Sequence, residues 1–242
     1  MNKKTCICIL GMHRGGTSAM AGVINKLGIY MGENLMGPSA TENAKGFFEL
    51  IEFKELNKEI LAYFKTRWDD INIVKKIKNL LPDELRYKMR SLIRKNFAEH
   101  DIFAIKDPRM CLLFPLWKTI LENAGVNIKV QIIIRNPNEV FLSLLNRNNK
   151  TLQEAFQLWH IYMAYAEFNT RGLPRHFMMF NDLLCKTEES IFKMIDVLNL
   201  NVDYKIYKND VIDFLDIKLK HFDTEKSLSF YQKLKKEYEI RG

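Results

Sequence analysis

The chain has 242 residues, 47% of them hydrophobic and 27% charged, and carries a net charge of +8 at pH 7. These proportions exclude global disorder, and the length suits a single α/β domain over residues 1–242. The cationic excess favours an anionic ligand, but charge by itself does not separate nucleotide, polysaccharide, membrane surface and nucleic acid.

The first predicted element is TCICIL (5–10), a short β-rich run that reads as a buried strand. It is too short for the apolar core of a signal peptide and leads straight into a glycine turn, so no leader is expected. No stretch approaches the roughly 18 apolar residues that a membrane span needs. Cys6, Cys8, Cys111 and Cys185 lack metal-ligand spacing and read as buried small apolar residues in a reducing cytoplasm. Cys6 and Cys8, two residues apart on the strand, should share a face.

ILGMHRGGTSAM (9–20) follows, with Gly11 and Gly16 bracketing four residues and Thr17-Ser18 behind them. A nucleoside-triphosphate loop would place lysine where Thr17 stands. The only cation inside this loop is Arg14. Met20, Val23, Ile24 and Leu27 then recur at helical spacing, and Gly28 is the expected stop. Strand, glycine turn and helix together make a phosphate site, because a helix N-terminus offers unpaired N–H groups and the positive end of its dipole.

Residues 52–100 form a basic helical insert. EFKELNKEILAYFKTRW and DELRYKMRSLIRKNFAEH look helical, with Pro82 breaking between them. The insert would cap the sheet or shape an acceptor cleft, and most of its charges read as a solvated face. Three further strands are predicted at IFAI (102–105), KVQIII (129–134) and HFMMF (176–180). They run into Lys106-Asp107-Pro108-Arg109, Arg135-Asn136-Pro137 and Asn181-Asp182. Helical patterns lie at NEVFLSLLNR, at TLQEAFQLWHIYMAYAEF behind a Thr151…Glu154 capping box, and at EESIFKMIDVLNL. LSFYQKLKKEYEIRG at the C-terminus reads as a surface helix or a frayed tail. Alternating strands and helices imply a P-loop-like three-layer α/β fold, a parallel sheet with helices on both faces, whose ligands sit at the strands' carboxyl ends. Three of the four strand ends carry lysine or arginine, which suits a polyanion.

Arg135 at a strand end and Ser143 eight residues on, early in the next helix, make a second compact anion pocket, to which Arg147 one turn further on is a candidate addition. Two separate anion pockets suit a nucleotide phosphorylated at both ends of its ribose.

The set G-x-x-R-x-G-T-S, K-D-P-R and R-x₇-S resembles the sulfotransferases that use 3′-phosphoadenosine 5′-phosphosulfate (PAPS). The likeness runs from residue 5 to about residue 200. GFFE (46–49), LLFPLW (112–117) and FNDLL (180–184) are similar to stretches of bacterial members that modify carbohydrates or small metabolites. The resemblance implies that His13, Arg14, Gly15, Gly16, Thr17 and Ser18 hold the 5′-phosphosulfate, and that Arg135 and Ser143 hold the 3′-phosphate. Arg14 takes the place of the loop lysine of many members, much as in tyrosylprotein sulfotransferases. Lys106 matches a lysine placed near the leaving group; its alternative is an ion pair with Asp107 or another neighbour. Glu49 is the expected base, with Glu42, Glu52 and His13 as rivals, and His160 reads as a core or cleft-lining residue. The implied reaction moves a sulfuryl group from PAPS to a hydroxyl of a saccharide, glycolipid or small metabolite and releases PAP. It implies no metal, no nucleic-acid partner and a cytoplasmic location. The alternatives are an atypical P-loop kinase or NTPase, with Asp107 and Thr17 or Ser18 on Mg²⁺, and a non-catalytic nucleotide or glycan binding module.

Overall fold

The computed structural model describes residues 3–215 apart from 40–42, 44, 79 and 149, and leaves out the side chains of 146–148. Glu42, the side chain of Arg147 and LSFYQKLKKEYEIRG lie outside the described residues. In chain order, β1 (Thr5–Leu10) leads to α1 (Thr17–Lys26), then α2 (Ile51–Tyr63), α3 (Ile73–Lys76) and α4 (Asp83–Phe97) precede β2 (Ile102–Lys106). After these come α5 (Met110–Asn123), β3 (Asn127–Ile134), α6 (Pro137–Asn148) and α7 (Leu152–Asn169). β4 (Arg175–Met179), α8 (Phe180–Cys185), α9 (Thr187–Val197) and α10 (Tyr204–Phe214) complete the described chain.

The four strands are parallel and ordered β2-β1-β3-β4. Because strand side chains alternate, β1 divides its residues between two cores. Cys6, Cys8 and Leu10 join Phe53, Met89, Trp117 and Trp159 on one face, while Ile7 and Ile9 join Val23, Met194 and Val211 on the other. The result is the expected three-layer α/β fold. β1 pairs with both β2 and β3, so the chain leaves β1 to one side and returns on the other. The crevice at the carboxyl ends of β1 and β3 is therefore the topological switch point where ligands of such sheets bind.

Four strands and six helices fall where the sequence pattern places them, and the Thr151–Glu154 capping box forms with both of its hydrogen bonds. Gly28 follows the end of α1 with φ 79°. Other expectations need correction. Cys185 is exposed at the end of α8, unlike buried Cys6, Cys8 and Cys111. α2 stops at Tyr63 rather than running to Trp68, with Lys65 in the left-handed region just beyond. α5 has no counterpart among the predicted helices, since it is apolar almost all round and contains Pro115. A proline removes the N–H that would bond the carbonyl four residues back. Here that carbonyl belongs to Cys111, and Asn169 Nδ2, at the end of α7, donates to it at 2.9 Å. A side chain from the neighbouring helix thus replaces the missing main-chain donor. None of the described helices is long and apolar enough to cross a membrane.

The sheet also buries a polar pair: His176 Nδ1 lies 2.9 Å from Gln131 Oε1, on adjacent strands. Burial, helped by nearby Lys193, pushes the His176 pKa down to about 4. The native state then binds fewer protons than the unfolded chain between about pH 4 and about pH 6.5, so stability falls as pH drops through that window. We predict that His176→Gln flattens the loss between pH 6.5 and 4, by up to about 3 kcal/mol. Urea unfolding at pH 7, 5.5 and 4 checks this, and an unchanged slope would remove His176 as the cause.

Candidate active site

The turn after β1 is held by the Gly15 N–H donating to the Met12 carbonyl at 2.9 Å. Arg14 has φ 64° and Gly16 φ 89°, so the chain makes two left-handed steps before α1. Gly16 must be glycine for a second reason as well: a Cβ there would collide with the ring of Phe180, the residue after β4. α1 then begins without a capping side chain and without an acid in its first turn. Its first N–H groups have no intrahelical acceptors. A phosphate fits that cradle in charge and in hydrogen-bonding sense.

Cations converge on it from three strand ends. Arg14 Nε donates to Ser143 Oγ on α6 at 2.7 Å, which joins the loop after β1 to the helix after β3. Arg135 Nη1 donates to the Arg14 carbonyl at 3.3 Å, its Nε pairs with Glu139 Oε2 at 2.7 Å, and its guanidinium carbon lies 4.7 Å from the Phe180 ring centroid. Glu139 holds the side chain in its buried setting, and the aromatic face adds cation–π attraction. The switch-point crevice therefore contains Gly15, Gly16, Thr17, Ser18, Arg14, Arg135 and Ser143.

Lys106, at the end of β2, is 3% exposed and sits at the centre of a second cluster. Its Nζ donates to Glu49 Oε1 at 2.8 Å, to the Phe47 carbonyl at 3.0 Å and to Ser18 Oγ at 3.1 Å. The ion-pair partner of Lys106 is Glu49 and not Asp107. Asp107 instead accepts from the Arg109 N–H (2.9 Å), from Arg109 Nη1 (2.8 Å) and from Asn57 Nδ2 (2.8 Å), while Asn57 Oδ1 accepts from Trp117 Nε1 (2.8 Å). Burial pushes the Asp107 carboxyl pKa up, opposed by the Arg109 guanidinium beside it. Arg109 Nη1 also lies 3.8 Å from Glu49 Oε2, so the carboxylate of Glu49 is approached by a cation on each oxygen.

The remaining candidates lie around this core. The His13 ring packs 4.4 Å from that of Trp68 and 5.5 Å from that of Tyr162 (centroid distances), and the Tyr162 hydroxyl donates to the Trp68 carbonyl at 2.8 Å. The loop is thereby fastened to the stretch between α2 and α3. Glu52 pairs with Lys95 of α4 at 2.7 Å. His160 packs against Phe156, 4.6 Å between ring centroids, and burial lowers its pKa. Cys111 Sγ accepts from the Gly11 N–H at 3.3 Å, and burial pushes its thiol up to about 12, which keeps it protonated under the loop.

Asn57, Arg109, Trp68, Tyr162 and Phe180 are the residues that the sequence reading left without a role. Asn57 alone had a local signal, a polar residue on the apolar face of α2 set by Phe53, Leu56 and Ile60. The others depend on contacts between distant segments.

No protein-family model matches the chain, and no curated protein matches it. Among solved structures, two sulfotransferase domains are similar over nearly its whole length. The Sulfotransferase Domain from the Synechococcus PCC 7002 Olefin Synthase has 14% identity and a TM-score of 0.51, with 99% of this chain and 96% of that one covered. The Sulfotransferase Domain from the Curacin Biosynthetic Pathway has 18% identity and a TM-score of 0.49, with 99% of each covered. The first likeness shows the fold: a helix-flanked parallel α/β sheet of the kind found in a sulfotransferase domain.

The buried network around Asp107 gives a direct test. Asp107→Ala should lower stability by roughly 3–5 kcal/mol, because it strands a buried guanidinium. Asp107→Asn, which keeps an acceptor oxygen, should cost less. Urea unfolding of both variants checks the order, and equal small losses would contradict the network.

Proposed function

We propose that the chain is a sulfotransferase that moves the sulfuryl group of PAPS to a hydroxyl of a saccharide, glycolipid or small metabolite and releases PAP. One observation carries this reading. An uncapped, acid-free helix N-terminus stands at the switch point, with arginines from two strand ends and a buried lysine–glutamate pair gathered beside it. The similarity of fold to a sulfotransferase domain supports it from outside the site.

In this reading the N–H groups of Gly16, Thr17 and Ser18 and the cation of Arg14 bind the 5′-phosphosulfate. His13 supports the loop through its ring, packed on those of Trp68 and Tyr162, and Gly15 shapes the turn. Arg135 and Ser143 take the 3′-phosphate. Lys106 faces the charge that grows on the departing oxygen, and a preformed donor there is worth about 3–4 kcal/mol in the transition state. Glu49 accepts the proton of the attacking hydroxyl. A base so placed contributes roughly 10²–10⁴-fold. The bond from sulfur to the acceptor oxygen forms as the bond to the 5′-phosphate breaks, and the leaving electron pair stays with PAP.

We take residues 1–242 as one domain in which the helices between 51 and 97 border the acceptor side. The buried thiols of Cys6, Cys8 and Cys111 suit a reducing cytoplasm. The Mg-ATP kinase reading gains no support from Asp107, whose carboxylate is engaged by Arg109 and Asn57.

Thermal unfolding with PAP, and separately with ATP and Mg²⁺, tests the reading. PAP at 100 times its Kd should add about 2.7 kcal/mol, a rise of roughly 5–10 °C in Tm for a chain of this size. A rise with Mg-ATP alone would replace the sulfotransferase reading with the kinase. Arg135→Ala should weaken PAP by about tenfold or more, from loss of a charged hydrogen bond, yet leave adenosine 5′-phosphosulfate within about twofold. Equal weakening of both, measured by calorimetry, would contradict the 3′-phosphate role.

A further inference from the structure

Glu49 does not reach Lys106 by regular secondary structure. Its segment forms a short antiparallel pairing with residues 34–36: Leu35 bridges Leu50, and the Ile51 N–H donates to the Asn34 carbonyl at 3.0 Å. The Met36 N–H then donates to the Glu49 carbonyl (2.7 Å), whereas the Met36 carbonyl accepts from the Phe47 N–H (3.1 Å). Met36 is thus bracketed by the residues on either side of Phe48, which bulges out of the pairing. Phe48 has φ 55°, an uncommon conformation for a bulky residue. Bulges re-aim the side chains next to them. This one turns the Phe47 carbonyl and the Glu49 carboxylate onto the same ammonium group, that of Lys106.

A left-handed phenylalanine is strained and persists only where its surroundings hold it. The surroundings are the last turn of α10. The Phe48 ring meets the Phe214 ring edge-on, with centroids 5.7 Å apart. Phe214 in turn lies over Gly22 of α1, where any Cβ would strike its ring. Lys45 donates to the Phe214 carbonyl and lies 5.3 Å from the centroid of its ring. One aromatic residue therefore touches the helix behind the phosphate loop, the bulge, and the lysine that precedes it.

We propose that Phe214 is a positioning residue for Glu49: by buttressing Phe48 in its left-handed conformation, the end of α10 keeps the proton acceptor against Lys106. This rests on the sulfotransferase reading of the site. Removing the ring lets Phe48 relax and moves Glu49 off its line, while the phosphate cradle of α1 keeps its own hydrogen bonds. Turnover and nucleotide affinity should therefore separate.

The test is the single-turnover formation of PAP from enzyme-bound PAPS with water as the acceptor, beside PAP affinity by calorimetry. In this reaction a water oxygen bonds to sulfur, its proton passes to Glu49, and sulfate and PAP are the products. Phe214→Ala should slow PAP formation by about 10- to 100-fold, the scale of a misplacement of roughly 1 Å, with PAP affinity within about twofold of the wild type. Phe214→Leu, which keeps an apolar buttress, should recover much of the rate. Phe48→Gly, comfortable at positive φ but lacking the ring, should match Phe214→Ala in rate. Unchanged rates in Phe214→Ala and Phe48→Gly would overturn the inference. So would a parallel fall of rate and PAP affinity, which marks a general structural role. A wild type that forms no PAP from PAPS would instead remove the sulfotransferase reading, and this inference with it.

Discussion

The buried pair of Lys106 and Glu49 is the constraint around which the crevice is arranged. An ammonium group at 3% exposure is costly to desolvate unless oxygens are placed to accept its hydrogen bonds. The chain supplies three from two segments: the carboxylate of Glu49 and the carbonyl of Phe47 from one, and the hydroxyl of Ser18 from the other. Meeting that demand ties the end of β2 to the first turn of α1 and to the segment entering α2. Arg109, approaching the other oxygen of Glu49, brings in the Asp107–Asn57–Trp117 chain and with it the core under α2 and α5. Polar satisfaction here sets the relative placement of elements that hydrophobic packing alone would leave free to slide.

The second anion pocket follows a different logic. Its position comes from topology, since β1 and β3 are adjacent and the segments after them must meet. The residues after those strands are Arg14 in a left-handed turn and Arg135 locked by Glu139. Two like charges are kept near each other because each has a partner of its own: the Ser143 hydroxyl for one and a carboxylate for the other. The cations are thus oriented before any ligand arrives, so that little rotamer freedom is left to lose on binding.

The sequence was legible where structure is local. Runs such as TCICIL and KVQIII announce strands through β-branched and apolar density, and the Thr151–Glu154 box marks the start of α7 within four residues. The glycine turn is equally local, as positive φ and a tight approach to Phe180 both demand glycine at one position. α5 was hidden because its apolar residues show no single face and Pro115 argues against a helix. At the crevice, residue types at the strand ends could be read in advance, but their pairing could not. Glu49 and Lys106 are 57 positions apart, and nothing in either neighbourhood says that one will neutralise the other. Phe48 is the extreme case: its conformation depends on Met36, on Phe214 and on the lysine it serves, none of which lies within ten residues of it.

Pro115 and Asn169 carry a consequence for how this chain can vary. The proline deletes a main-chain donor, and the asparagine, from another helix, supplies one to the same carbonyl. Replace the proline by a residue with an N–H and the α5 ladder closes on itself, leaving Asn169 competing for an acceptor already taken. Replace the asparagine alone and the Cys111 carbonyl loses its donor directly beneath the Cys111 thiol that meets Gly11. The two positions form one unit of inheritance, in which change at either is tolerated best when the other changes as well.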